Sequence, residues 1–306
     1  EFTSGTTGTR KKVAYSMYDC DRTAEFFPCG MSEFIFSGDT TLICMPTSDA
    51  LSLGGLISMA VENLGAVPVK AGVGRTFCEL AQIIRDTRPN TYVGMPTPLL
   101  SLFRLMGKEC TIERALTSGD TTSQFLQREC EKYLREPLFP HYGLRESGPG
   151  MAYTCAAHEG MHIRENDIIT EIVSPAGVPL PDGEWGEIVI TTAGLEAMPL
   201  IRYKTGDIGR ILPSPCPCGS VTRRLEVRGR ITPGSAVWDY DEAVFSLPGT
   251  IDFKLSGNDV IILTSSCSFI PDIQQAAGKI FPGKNVNVRT ATEQDGPLYM
   301  GKRTIS

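Results

Sequence analysis

The stretch TLICMPTSDALSLGGLISMAVENLGAVPV, residues 41–69, decides the fold class. Residues 41–45 are an apolar run of strand length, 51–64 have the length and apolar spacing of a helix that Gly65 ends, and 66–69 form a second strand. Strand, helix and strand joined by short turns is the unit from which parallel sheets are built, since parallel neighbours need a crossover between them. The same alternation continues outward. Residues 75–88 carry Phe77, Leu80, Ala81 and Ile84 at helical spacing and stop at Pro89. Residues 91–94 and 115–118 read as strands, 98–106 and 124–134 as helices, and 139–142 as a further strand.

The texture changes after Tyr153. Residues 168–173, 187–192 and 208–212 read as strands separated by turn clusters such as PLPDG at 179–183, the pattern of an antiparallel or barrel-like subdomain. A third texture begins near Gly229: strands at 251–255 and 260–264 around a Ser256-Gly257-Asn258 turn, a helix over 270–280 and a strand over 286–289. The expectation is an α/β fold, with one domain over residues 1–228 and a small α+β domain over 229–306.

Composition narrows the function. The 306 residues, 41% of them hydrophobic, are enough for two cores. Lys and Arg total 29 against 35 Asp and Glu, a net charge of −6, which argues against nucleic acid or a membrane surface as the main partner. No apolar run approaches the roughly 20 residues of a membrane span. The opening EFTSGTTGTRKK is polar, so a cytoplasmic protein is expected. Ten cysteines in a chain this long are too sparse for a disulfide scaffold.

Four segments could carry chemistry. The loop TSGTTG at residues 3–8 with Lys11 combines glycines that let backbone N–H groups converge on a phosphate, hydroxyls that donate further bonds, and a cation. It lacks the GK[ST] ending of a Walker loop. A phosphate loop normally follows a strand, so one that opens at residue 3 leads us to expect missing sequence upstream. HYGLRE at 141–146 and RYKTGD at 202–207 each put an acid at a strand end, and Gly301-Lys302 lies near the C-terminus. Singly, these segments read as packing, a strand cap and a solvated charge. Separately, Cys155-x-x-His158 and Cys216-Pro-Cys218 supply three sulfurs and an imidazole, enough for a closed tetrahedral Zn²⁺ site that would pin the segment after the first acid motif to the one after the second. Cysteines 20, 29, 44, 78, 110, 130 and 267 read as core or surface thiols.

In this order the segments resemble the adenylate-forming superfamily of acyl-CoA synthetases, in particular its phenylacetate-CoA ligase-like branch, over nearly the whole chain. TSGTTG with Lys11 is similar to the family's phosphate loop, HYGLRE to its aromatic-to-acid motif, and GEIVITTAGLEAMPLIRYKTGD to its strand and ribose-binding motif. The resemblance implies an N-terminally truncated large adenylate-forming domain. It would activate a carboxylic acid, aromatic in class, with ATP, form an acyl-adenylate and then an acyl-CoA thioester, and release AMP and pyrophosphate. It also implies residue roles. Thr3, Ser4, Gly5, Thr6, Thr7, Gly8 and Lys11 would hold the phosphates, and Ser118, Gly119 and Asp120 would border the adenine. Tyr142 with Gly143 would stack near the adenine, Glu146 would help bind Mg²⁺, and Asp207 would accept from the ribose hydroxyls. Arg230 would contact the nucleotide near the hinge, and Lys302 would be the catalytic lysine acting beside Lys11 and Glu146. The implied partners are a small carboxylic acid, ATP and coenzyme A, with a homodimer left open. His162 is an alternate fourth zinc ligand, but in the family a histidine in the matching stretch occurs without the cysteines, which favours His158.

The chain departs from the family at Arg10, where proline is usual, at Arg145, where a hydroxyl residue is usual, and in ITPGSAVWDYDEAVF at 231–245, which lacks the usual aspartate-rich hinge. Residues 92–97 and 148–152, rich in Gly and Pro, are the candidate walls of the acid pocket. Two other readings stay open: transfer of the adenylated acid to an acceptor other than CoA, and a non-catalytic nucleotide-binding or zinc-stabilised interaction fragment.

Overall fold

The computed structural model describes residues 12–148, 150–230, 237–300 and 303. Helix α1 (Met17–Met31) is followed by β1 (Thr40–Cys44), α2 (Leu53–Asn63), β2 (Val67–Lys70) and α3 (Phe77–Thr87). Next come β3 (Thr91–Gly94), α4 (Pro96–Met106), β4 (Arg114–Thr117) and α5 (Gln124–Glu131). Seven strands then run without an intervening α-helix: β5 (Phe139–Tyr142), β6 (Ala152–Thr154), β7 (Met161–Ile163), β8 (Ile168–Val173), β9 (Gly186–Thr192), β10 (Tyr203–Ile211) and β11 (Arg224–Arg230). The last described elements are α6 (Asp241–Phe245), β12 (Thr250–Ser256), β13 (Asp259–Thr264), α7 (Ile270–Ile280) and β14 (Asn285–Thr290).

The described residues of Glu1–Asp39, Ser48–Pro68 and Phe139–Pro233 form one compact unit, and those of Thr40–Thr47, Val69–Leu138 and Gly234–Ser306 form a second. In the first unit the seven strands run in the order β5-β6-β7-β11-β10-β9-β8, every neighbouring pair antiparallel. One face of these strands buries Ile163, Ile172, Ile188, Ile190 and Leu225. Helix α1 belongs to this unit and was not foreseen from the sequence. It starts on a reciprocal cap, in which Ser16 Oγ accepts from the Asp19 N–H at 3.1 Å and the Asp19 carboxylate accepts from the Ser16 N–H at 2.8 Å. Asp19 also accepts from the N–H groups of Glu196 and Ala197, so the same buried carboxylate ties the helix start to the loop after β9.

In the second unit β1, β3 and β4 are parallel, as the strand and helix alternation predicts. The hairpin, helix and strand read near the C-terminus are also present: β12 pairs antiparallel with β13, and β13 parallel with β14. The described residues of Gly234–Ser306 group with those of Val69–Leu138, which differs from the division expected at Gly229. The described residues after Val237 share a core with α3 and α4, joining Leu99, Phe103 and Ile84 to Phe253, Ile262 and Ile273. Polar contacts reinforce it. Ser101 Oγ donates to the Ile251 carbonyl at 2.8 Å, and Arg104 donates to the carbonyls of Thr250 at 2.7 Å and Phe245 at 2.9 Å. Arg303, 2% exposed, lies between two buried acids, with Nε 2.5 Å from Asp120 Oδ2 and Nη1 2.5 Å from Asp241 Oδ1. Among the described residues no helix is long and apolar enough to cross a membrane.

The buried charges of the second unit can be tested one at a time. Arg303→Met leaves the Asp120 and Asp241 carboxylates buried without their cation, and should cost about 3–5 kcal/mol of stability in urea unfolding. A loss below about 1 kcal/mol would show that the pair is not what holds the chain end. The carboxyl of Asp252 is pushed up to about 6 by burial, against the N–H groups of Leu298 and Phe253 that favour its charged form. A carboxyl raised above its unfolded value binds more protons when folded, so this group's contribution to stability falls as pH rises from about 4 to about 6. Asp252→Asn should flatten that part of the stability profile, and identical slopes in the two proteins would disprove the assignment.

Candidate active site and metal cluster

Strand β10 carries the RYKTGD motif from Tyr203 onward and is longer than the sequence suggests, because Tyr203 to Asp207 lie inside the strand and not before it. Gly206 has φ of +73°, a conformation that L side chains rarely adopt, and the pairing with β9 shifts register between Lys204 and Ile208. This bulge turns Asp207 inward, to 2% exposure. Across the ladder Asp207 is paired with Arg230 of β11, whose Nε lies 3.2 Å from Oδ1. From β5 the Tyr142 hydroxyl donates to Oδ2 at 2.7 Å. Burial and the neighbouring Asp207 hold the Tyr142 phenol well above its ordinary pKa, so it stays a donor. Three residues picked from separate motifs thus meet on one carboxylate.

Glu146 lies one turn beyond β5, in a short 3₁₀ segment over Arg145–Ser147. Ser147 stabilises the turn, its hydroxyl donating to the Leu144 carbonyl at 3.0 Å and accepting from the Leu144 N–H at 3.3 Å. Two tyrosines that sequence reasoning passed over reach the same turn. Tyr15 donates to the Arg145 carbonyl at 2.5 Å, and Tyr203 donates to Glu146 Oε1 at 2.9 Å. Tyr203 could have been noticed, since it stands in the same short motif as Asp207. Gly143 sits in the turn between Tyr142 and this segment.

In the second unit Ser118, Gly119 and Asp120 follow β4, with Gly119 at φ of +84° and the Ser118 N–H donating to the Gly94 carbonyl at 2.9 Å. Asp120 is committed to Arg303. Of the candidate pocket walls, Tyr92 is fully buried in this unit's core with its hydroxyl donating to the Met95 carbonyl at 3.0 Å. In the other, Met151 and Ala152 are buried in the first unit. Thr3, Ser4, Gly5, Thr6, Thr7, Gly8, Lys11 and Lys302 lie outside the described residues, as do Pro149 and residues 231–236.

Three of the four expected metal-ligating side chains lie together, with one change in the fourth. Cys155, His162, Cys216 and Cys218 place their ligand atoms within 4.8 Å of one another, whereas His158 is not in the group. Cys155 Sγ is 3.6 Å from Cys216 Sγ, and Cys218 Sγ is 3.3 Å from His162 Nε2. The reason for the exchange is register. Strand β7 pairs with β6 so that His162 stands opposite Tyr153 and, on its other side, opposite Arg224 at the start of β11, just past the turn that carries Cys216 and Cys218. His158 instead sits in the β6–β7 turn at φ of +52°, its ring 4.5 Å from that of Phe139. The x-x spacing from Cys155 suggested a ligand, but turn geometry sends that side chain elsewhere.

The donor set suits Zn²⁺. Tetrahedral bonds of about 2.3 Å to sulfur and 2.0 Å to nitrogen put neighbouring ligand atoms roughly 3.5–3.8 Å apart, close to the 3.6 Å between Cys155 and Cys216 and the 3.3 Å between Cys218 and His162. Three sulfurs exclude hard cations such as Mg²⁺ and Ca²⁺. Thr222 Oγ1 lies 2.8 Å from His162 Nδ1, which leaves Nε2 facing the sulfurs, as a metal-bound imidazole requires. Burial pushes the Cys155 thiol up to about 12, so a metal must displace its proton.

A family model described as AMP-binding enzyme matches residues 1–198. The phenylacetate-coenzyme A ligase of Escherichia coli is 33% identical over 221 residues, 69% of this chain and 50% of its own length. That of Thermus thermophilus is 31% identical over 234 residues, 72% of this chain and 52% of its own. The chain therefore spans about half the length of the curated relatives it matches. Among solved structures, 2-hydroxyisobutyryl-CoA ligase in the postadenylation state has a TM-score of 0.73 at 17% identity, covering 98% of this chain and 72% of that one. A benzoate CoA ligase from Burkholderia xenovorans LB400 has a TM-score of 0.61 at 14% identity, covering 96% and 65%. At these identities the two structures establish a shared fold.

Proposed function

We propose, from the premise that this chain belongs to the AMP-binding enzyme family, that it activates a small carboxylic acid, aromatic in class, with ATP and passes the acyl group to coenzyme A. The observation that carries the reading is the meeting of Tyr142, Asp207 and Arg230 on one buried carboxylate. An ionised carboxylate offers about four lone-pair sites. Tyr142 uses one on Oδ2, and Arg230 lies against Oδ1 as an ion pair, which leaves capacity for the two ribose hydroxyls. Arg230 offsets the charge of Asp207, and Tyr142 fixes its rotation, so the acceptor is oriented before nucleotide arrives.

Glu146 would hold Mg²⁺, which when bound adds positive charge beside the triphosphate. The Thr3 to Gly8 loop and Lys11 would hold the β- and γ-phosphates, and Lys302 would steady the charge shared by the attacking carboxylate and the α-phosphate. Attack of the acid oxygen on the α-phosphorus expels pyrophosphate, and attack of the CoA thiol on the acyl carbon then expels AMP. Ser118, Gly119 and Asp120 are assigned to the adenine edge, and we place the reaction in the cytoplasm. In this reading Cys155, His162, Cys216 and Cys218 hold a structural Zn²⁺, in place of the set containing His158.

The first test is acid-dependent ATP–pyrophosphate exchange across a panel of aryl and alkyl acids. Exchange with aryl acids and AMP release that needs CoA are expected. Release supported by an amine instead would move the acceptor away from CoA, and no exchange with any acid would end the enzymatic reading. Asp207→Ala should raise the KM for ATP by on the order of ten-fold or more, through loss of charge-assisted bonds to ribose. The second test is cobalt substitution. One equivalent of Co²⁺ should give a thiolate charge-transfer band that His162→Ala weakens and His158→Ala leaves intact, and the reverse order of effects would restore the set first read from the sequence. Apparent binding free energies for structural zinc are on the order of 10 kcal/mol, so a strong chelator should also lower the melting temperature.

A further inference from the structure

We infer that Tyr203 is a positioning residue for the carboxylate of Glu146, holding one oxygen by its phenol so that the other is presented to the nucleotide-bound divalent cation. The inference rests on the reading that Glu146 binds that cation. Its geometric basis lies in the first unit alone. Glu146 is in a three-residue turn, so the backbone by itself leaves the glutamate side chain with several rotamers. Tyr203 comes from β10, where it pairs with Ile190 of β9, and its hydroxyl donates to Oε1 at 2.9 Å. A rigid element thereby fixes a side chain on a loop. Among the described residues, Oε2 of Glu146 takes no hydrogen bond and the carboxylate takes no ion pair.

The kind of partner matters as much as its place. A lysine or arginine at 203 would hold Glu146 equally well but would cancel its charge, and a neutralised carboxylate attracts a divalent cation weakly. A phenol fixes orientation and leaves the charge. Burial and the bond to Glu146 push the Tyr203 phenol up to about 12, so it remains a protonated donor across the working pH range. Tyr15, in the segment before α1, holds the backbone of the same turn at the Arg145 carbonyl, so two phenols from separate parts of the chain meet it.

The experiment compares the affinity of the full chain for MgATP with its affinity for metal-free ATP, by calorimetry, in the wild type, Tyr203→Phe, Glu146→Gln and the double variant. Tyr203→Phe removes one oxygen atom from a half-buried ring, and a thermal melt records whether folding is kept. The preference for MgATP should shrink by on the order of ten-fold in Tyr203→Phe, the size of a lost hydrogen bond to a charged group. It should shrink similarly or more in Glu146→Gln, and the double variant should match Glu146→Gln alone. Equal loss of both affinities in Tyr203→Phe would mean that the tyrosine only supports the fold, and additive losses in the double variant would mean that it acts elsewhere. Either result overturns the inference while Glu146→Gln still reports on the reading beneath it. An unchanged preference in Glu146→Gln would remove that reading and the inference with it.

Discussion

Burying the Asp207 carboxylate is the constraint on which the first unit turns. An ionised acid at 2% exposure is tolerated only when charge and hydrogen bonds compensate for the water it has lost. Here the compensation comes from two other strands, Arg230 on β11 and Tyr142 on β5. The requirement therefore fixes relative register: sliding β11 by one residue would send Arg230 to the opposite face. The bulge around Gly206 is the local cost of aiming the acid inward, and glycine at that position lowers it.

The cysteine and histidine cluster acts on the same strands from their other ends. Strand β11 runs from Arg224, beside His162, to Arg230, beside Asp207. Strand β6 leads from Ala152, opposite Tyr142, to Cys155 just past its end. Ligands taken from the end of β6, from β7 and from the β10–β11 turn would lock the three in one register, so a metal bound there serves the carboxylate without touching it. In the second unit Arg303 has a comparable part, drawing Asp120 and Asp241 together and binding the chain's last described residue to the loop after β4.

What could be read from the sequence follows the range of the forces involved. The parallel strands and their helices were legible because amphipathic spacing is a local signal, and β1, β3, α3 and β4 lie within a residue or two of where it places them. Asp207 and Tyr142 were legible because short motifs carry them. The choice between His158 and His162 was not, because it depends on which residue of β7 faces β11, a pairing about 60 residues apart in sequence that no local pattern encodes. The grouping of the described residues of Gly234–Ser306 with those of Val69–Leu138 was not legible for a similar reason. Their own strands and helix were foreseen, but the surface by which β12 meets α4 through Ser101 and Arg104 is composed only after folding. Helix α1 was missed although its Ser16-x-x-Asp19 cap is a local signal. Its apolar residues, interrupted by Pro28 and a run of polar positions, make a weak stripe.

The two carboxylates of the candidate site show how a protein sets the charge that a ligand will meet. Asp207 is held by a cation and a phenol, and Glu146, among the described residues, by a phenol alone. An acid paired with arginine is close to neutral as a unit, yet keeps lone pairs directed outward, which suits uncharged hydroxyl donors that need an acceptor and gain nothing from excess charge. An acid held only by a neutral donor keeps its full charge, which suits a cation and suits little else. Exchanging the partners would leave each acid oriented but wrongly charged for its task. The distinction lies in the residues that hold the acids, Arg230 and Tyr203, so that two carboxylates, one inside a strand and one in a turn, are suited to different kinds of ligand group.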